Sequence, residues 1–146
     1  MKKIIVVAFV LFNLCLHSQI KVLETKTIER LGKLGSNDIY VQKEGDEYTI
    51  FFRNIENKDS KGYKNFSFKD LEGDYENLYT IIMSGFAASP LQDIKLELPD
   101  DFVWLHYTRS GPKTSVQFMT SNKITDISGV SDFIDIPSIN KLFGKI

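Results

Sequence analysis

Hydrophobic and polar positions alternate in recognisable periods along most of the chain. Ile4 to Leu16 is an almost unbroken apolar run, interrupted by Asn13 and preceded by Lys2 and Lys3. Ile20 and Val22, then Ile28, Leu31 and Leu34, predict a short extended start followed by a turn or two of helix, which Gly32 and Gly35 keep from running longer. Residues 39–54 predict a hairpin. Ile39–Val41 and Glu47–Arg53 are rich in β-branched and aromatic residues, and Lys43-Glu44-Gly45-Asp46 supplies the turn. In its second strand Tyr48, Ile50 and Phe52 share one face, a period of two. Residues 54–63 are polar and read as an exposed loop. Lys64–Lys69, with Phe66 and Phe68 on one side, reads as a third strand.

The period then changes. Tyr75, Leu78, Tyr79, Ile82 and Phe86 form one stripe at helical spacing, so a helix is predicted from about Asp74 to Ala88. Asp74 is its expected N-cap, and Ser89-Pro90 stops it. Three strands follow. Ile94, Leu96 and Leu98 alternate with Lys95 and Glu97, and Pro99-Asp100-Asp101 turns the chain. Phe102–Arg109 is apolar on both faces, the mark of a central strand, with Phe102, Trp104 and His106 on one side. Ser110-Gly111-Pro112-Lys113 turns into Thr114–Thr120. In the tail, Ile124–Ile127 reads as a short strand, Phe133, Ile134 and Ile136 as another, and Ser138–Phe143 as a short helix ending at Gly144. Tight turns between strands imply antiparallel pairing. The expected fold is α+β: a mostly antiparallel sheet of about five or six strands, one main helix packed on one face, and a short C-terminal helix. Such a helix stripe contributes roughly 1.5–3 kcal/mol per large side chain buried against the sheet.

The N-terminal apolar run is too short for a membrane span, which takes about 20 residues. With Lys2 and Lys3 before it and Ser18 after it, residues 1–18 read as a secretory signal peptide cleaved at Ser18–Gln19, leaving residues 19–146 as a single domain. Cys15 at the end of the run offers a rival reading, a lipid-anchored protein, although Leu14 is larger than the residue that usually precedes a lipidated Cys. Cleavage takes two of the 18 basic residues and none of the 19 acidic ones, so 16 against 19 leaves a net charge of −3. It also removes the one Cys and one of the two His. The mature chain then depends on noncovalent packing and has no membrane span. Its acidic balance excludes a basic nucleic-acid binder.

The remaining chemistry is sparse. One His without Cys excludes a structural zinc site. Asn57–Gly62 has part of a calcium-loop spacing, but Lys61 occupies a ligand position and Phe68 stands where Glu belongs. Asp70, Glu72, Asp74 and Glu76 are the better oxygen cluster for a metal, but a charged helix start is the preferred explanation of them. Ser138-Ile139-Asn140-Lys141, Lys113-Thr114-Ser115 and Ser131-Asp132-Phe133 echo the motifs of penicillin-recognising enzymes, in reversed order and incompletely. Gly32-Lys33-Leu34-Gly35 lacks the spacing of a phosphate loop. Asn65-Phe66-Ser67 matches a glycosylation acceptor, which matters only in a eukaryotic source. His106 is the one candidate acid or base, with Arg109, Tyr107 or the Asp100–Asp101 turn as company.

Ser18-Gln19, Asn37–Lys43, Glu76–Tyr79, Trp104–Tyr107 and Asn140–Lys145 together resemble a group of small exported bacterial proteins without an assigned function. The resemblance implies export and a single domain, and brings no activity, cofactor or catalytic residue. The expectation is therefore an exported, noncatalytic binding module of the bacterial cell envelope, periplasmic or secreted. It needs no cofactor, and its partner is an unknown protein, peptide or envelope component. The alternative is a small hydrolase or ligand-binding protein with its site around His106 and Arg109.

Overall fold

The structure is a computed structural model that describes residues 20–35, 38–56 and 62–146. The predicted signal peptide, Cys15 and loop residues 57–61 lie outside the described residues. The chain is a single α+β domain built from two antiparallel four-stranded sheets and two helices. The first sheet is a meander of β1 (Ile28–Leu34), β2 (Ile39–Glu44), β3 (Glu47–Arg53) and β4 (Tyr63–Lys69). Helix α1 (Asp74–Ala87) follows. The second sheet is a meander of β5 (Ile94–Glu97), β6 (Asp101–Ser110), β7 (Lys113–Asn122) and β8 (Ser128–Val130), and α2 (Ile136–Leu142) closes the chain.

The single sheet expected from the sequence is thus corrected to two. Alternation says which residues share a face, and α1 interrupts the strand run, but neither says that pairing restarts after the helix. Residues 28–34 are likewise strand rather than helix. Their register with β2 slips at Leu31, a bulge that lets Gly32 stand opposite Val41. In the tail, 123–125 is a turn, β8 lies at 128–130, and Ile134 makes one isolated bridge to Val116. Helix α2 begins at Ile136 because Asp135 caps it, accepting from the Ser138 amide at 3.1 Å, with Pro137 in its first turn.

The N-cap of α1 is Gly73, at φ 84°, rather than Asp74. Capping is instead done by reach. Asp70 Oδ1 accepts from the Tyr75 amide at 3.4 Å, and Asp74 Oδ2 accepts from the Leu71 amide at 3.2 Å.

The inner faces of both sheets and the helix stripes form one core. Ile50, Phe52 and Phe66 of the first sheet meet Val103, Leu105, Val116 and Phe118 of the second, and the Phe66 and Phe118 rings make an edge contact at 5.7 Å. Helix α1 lies against β6 and β7, whereas α2 lies against β1 and β2. Tyr107 Oη donates to the Ile82 carbonyl at 2.7 Å, and Gly85 leaves room for the Tyr107 ring. Tyr75 stacks between Tyr48 and Phe143, at 4.3 and 5.0 Å. Most outward-facing positions of the two sheets are half-buried or exposed, Gln117 beside His106 being a buried one.

Candidate functional site

Strand β6 positions the residues singled out by the sequence. It leaves the two-residue turn Pro99–Asp100, where the Leu98 amide donates to the Asp101 carbonyl at 2.9 Å. That turn sets Lys95 opposite Trp104 and Glu97 opposite Phe102. Continued by one residue, the same register brings Asp93 beside His106, and His106 Nδ1 lies 2.8 Å from Asp93 Oδ1. Both side chains remain accessible, 36% and 50% exposed. The inward positions of β6, Val103, Leu105 and Tyr107, are buried, so its two-sided apolar pattern resolves into one core face and one half-covered outer face.

Arg109 is odd-numbered on the same strand and lies on the face opposite His106, exposed near the β6–β7 turn. The strand therefore does not bring these two together. Asp100 and Asp101 sit at the far end of β6, where the Asn122 side-chain amide bonds the Asp100 carbonyl and the Asp101 carboxylate. The acidic group disperses in the same way. Asp70 and Asp74 serve the start of α1, Glu76 pairs with Lys145 at 2.7 Å, and Glu72 is exposed. Among the described residues no three His, Cys, Asp or Glu side chains come together as a metal site.

Beside His106, the outer face of the second sheet is concave. Trp104 stands opposite Met119, which stands opposite Val130. These three floor a hollow of about 260 Å3, with Asp93, Glu56 and Ser128 among its lining. Glu56 arrives from the first sheet. The Ile55 amide donates to the Val130 carbonyl at 2.9 Å, and Asn54 Oδ1 accepts from the Val130 amide at 3.0 Å, which pins the exit of β3 to β8. The Lys95 ammonium sits 5.1 Å from the Trp104 ring and 4.2 Å from Phe102, and Lys123 sits 5.0 Å from Phe102.

The outer face of the first sheet carries a second aromatic cluster. Tyr40 and Phe51, opposite each other in the register, stack at 4.9 Å, and Tyr63 lies 5.9 Å from Tyr40 and is 41% exposed. The Arg30 guanidinium stands 4.4 Å from the centre of the Tyr40 ring. Arg53 is held in its charged form first by Tyr63 and then by Asp38, 3.3 Å away. Neither this cluster, nor Asp93, nor Glu56 was nominated by the sequence. The signal for Asp93 was present, because a two-residue turn at Pro99–Asp100 dictates its place opposite His106. No comparable signal exists for Glu56, which depends on contact between the sheets.

A larger groove, about 410 Å3, runs between the β4 end, α1 and β5, floored by Phe68, Leu78, Ile81, Leu96 and Leu98. Of its rim charges, Asp74 serves the helix start and Glu97 bonds Lys123 at 3.0 Å, while Lys69 makes no ion pair among the described residues. Among the described residues no helix is long and apolar enough to cross a membrane. Compared with known protein families, curated proteins and solved structures, the chain matches none of them.

Proposed function

We propose that the chain is an exported, noncatalytic binding module of the bacterial cell envelope. The observation that carries this reading is the contiguous Tyr40–Phe51–Tyr63 cluster with Arg30 on the outer face of the first sheet, with Tyr63 exposed and Tyr40 and Phe51 half-buried. Aromatics clustered at the surface with an arginine have the composition of a binding patch rather than of an ordinary solvated surface. The test is co-sedimentation of residues 19–146 with a bacterial envelope fraction. The chain is expected in the pellet, and a Tyr40→Ala/Phe51→Ala variant with an unchanged melting profile is expected in the supernatant. A wild-type chain that stays in solution, or a variant that pellets equally, overturns the proposal. Location follows from the predicted signal peptide, and the intact mass of the exported form separates a free chain beginning at Gln19 from one lipidated at Cys15.

The 2.8 Å contact between His106 and Asp93 favours a second reading, a small hydrolase. An aspartate so placed fixes the imidazole tautomer and leaves the other ring nitrogen for proton transfer. A nucleophile is the missing part: among the described residues, His106 has Asp93 as its hydrogen-bond partner and no serine or threonine hydroxyl. Turnover of simple esters or glycosides that disappears in His106→Ala would establish this reading, and turnover that is absent or survives the substitution would dismiss it.

A further inference from the structure

We propose that the hollow beside Trp104 binds one ring of an uncharged saccharide, stacked on the indole, with its hydroxyls donating to Glu56 and Asp93. The inference deepens the binding-module reading by naming a ligand class, and it rests on that reading.

Four features point to a sugar. The first is the pairing of one flat aromatic wall with oxygen groups. Trp104 lies between Lys95 and Met119, while Glu56, Asp93 and Ser128 contribute to the lining. A pyranose has the matching shape, with an apolar C–H face and a rim of hydroxyls. The second is size. At about 260 Å3 the hollow falls just below the roughly 300–1,000 Å3 of pockets that hold drug-sized ligands, so it suits one ring of a longer chain. The third is continuity: Phe102 and Ser121 continue the same face beyond Trp104 and Met119, where neighbouring sugar units would meet the Lys95 and Lys123 ammonium groups over Phe102.

The fourth is charge. Two carboxylates in the lining disfavour an anionic ligand. An organic cation would seek the Trp104 face, but the Lys95 ammonium is already 5.1 Å from that ring, and a second cation there meets like charge. An uncharged polyol avoids both penalties, because each carboxylate accepts from hydroxyls without needing a countercharge. The Asp93 carboxylate, anchored through Oδ1 to His106, keeps its second oxygen for such a donor.

Trp104 is the one tryptophan of the chain, so intrinsic fluorescence reports this hollow directly. Residues 19–146 are titrated with cellotriose, maltotriose and triacetylchitotriose, and separately with tetramethylammonium. A saturable emission shift is expected with at least one trisaccharide. Its half-saturation point should rise at least tenfold in Glu56→Gln/Asp93→Asn. Both substitutions keep shape and are exposed, and an unchanged melting profile for the variant confirms that the fold is retained. The proposal is overturned by an absence of saturable shift with all three sugars, by a shift with tetramethylammonium alone, or by a sugar response indifferent to the double substitution. Envelope co-sedimentation that persists alongside any of those results removes the saccharide hollow and leaves the binding module standing. Failure of co-sedimentation together with a carboxylate-dependent sugar response removes envelope binding through the Tyr40 cluster and leaves a saccharide-binding module.

Discussion

Two buried tyrosines have opposite relations to their hydroxyls. Tyr107 Oη donates to the Ile82 carbonyl, whereas Tyr75 Oη is buried without a hydrogen-bond partner among the described residues. A buried polar group left unpaired costs about 1–3 kcal/mol, while a made hydrogen bond contributes about 1 kcal/mol net. Tyr75→Phe is therefore expected to stabilise the fold, and Tyr107→Phe to cost about 1 kcal/mol, both read from urea midpoints. Burial raises both phenol pKa values above the ordinary 10, and Tyr48 and Glu76 add to the effect at Tyr75. A raised pKa means that the folded chain holds the proton longer than the unfolded chain. Stability should thus fall as pH rises past 10, and either Phe variant should flatten that decline. Asp135 has the opposite sign. Hydrogen bonds from Ser138, then the nearby Lys113, hold its carboxyl below the ordinary 3.8. Its contribution is present above that value and is lost as pH falls through the lower, folded value. Asp135→Ala should cost about 1 kcal/mol at neutral pH and lose less stability on acidification than the parent. The N-cap role of Asp135 was open to reading, since Asp, then Pro at the second helical position, is a helix start. The fate of the Tyr75 hydroxyl was not, because it depends on residues distant in sequence, Tyr48 and Phe143, that surround the ring.

At the scale of elements, two glycines set how closely the helices approach the sheets. A Cβ on Gly32 would run into the backbone carbonyl of Leu142, so α2 would have to lift from β1. A Cβ on Gly85 would run into the Tyr107 ring, whose hydroxyl is tied to α1 itself. Overpacking of this kind costs about 1–3 kcal/mol. In Gly85→Ala the gain in helix propensity, at most about 1 kcal/mol, offsets part of that. Gly32 lies in a strand and has no such compensation. Both variants should melt lower, Gly32→Ala the more so, and a Gly32→Ala protein as stable as the parent would disprove the close approach. The same glycine explains why β1 was misread. Its strand carries no alternating apolar pattern, because Leu31 is the bulge and Gly32 takes the core-facing place opposite Val41. Strands β2, β3, β6 and β7 and helix α1 were legible because each buries one regular face in the core. The candidate site was legible only in part. His106 and Trp104 stood out by type, but the residues that complete the hollow arrive from a hairpin register and from the other sheet.

In the whole molecule the element order repeats, four strands and a helix twice over, yet the packing is exchanged between the halves. Helix α1 follows the first sheet and lies against the second; α2 follows the second and lies against the first. The exchange is locked at several points: Tyr107 to Ile82, Tyr79 Oη to Asn140 at 2.8 Å, Lys145 to Glu76, and Asn54 to the Val130 amide. A sheet needs its apolar face covered to be stable, and in neither half does the helix that follows a sheet lie mainly against it. Residues 20–90 made alone would leave Ile39, Val41 and Ile50 without α2 and without the second sheet. Residues 91–146 made alone would leave Val103, Leu105 and Tyr107 without α1. Each fragment is therefore expected to lack a cooperative thermal transition, and the whole chain to melt in a single step. Mixing the two fragments should restore that step, since the missing cover of each is the helix carried by the other. A fragment that melts cooperatively by itself would mean that the halves are separable domains. The outer faces would then be two independent surfaces, whereas a shared core holds both sheets in one body. In that arrangement the first sheet, which carries the aromatic cluster around Tyr40, is joined to the hollow at Trp104 at the corner where β3 exits. That is the corner where Asn54 and Ile55 hold Val130, and where Glu56 crosses into the hollow.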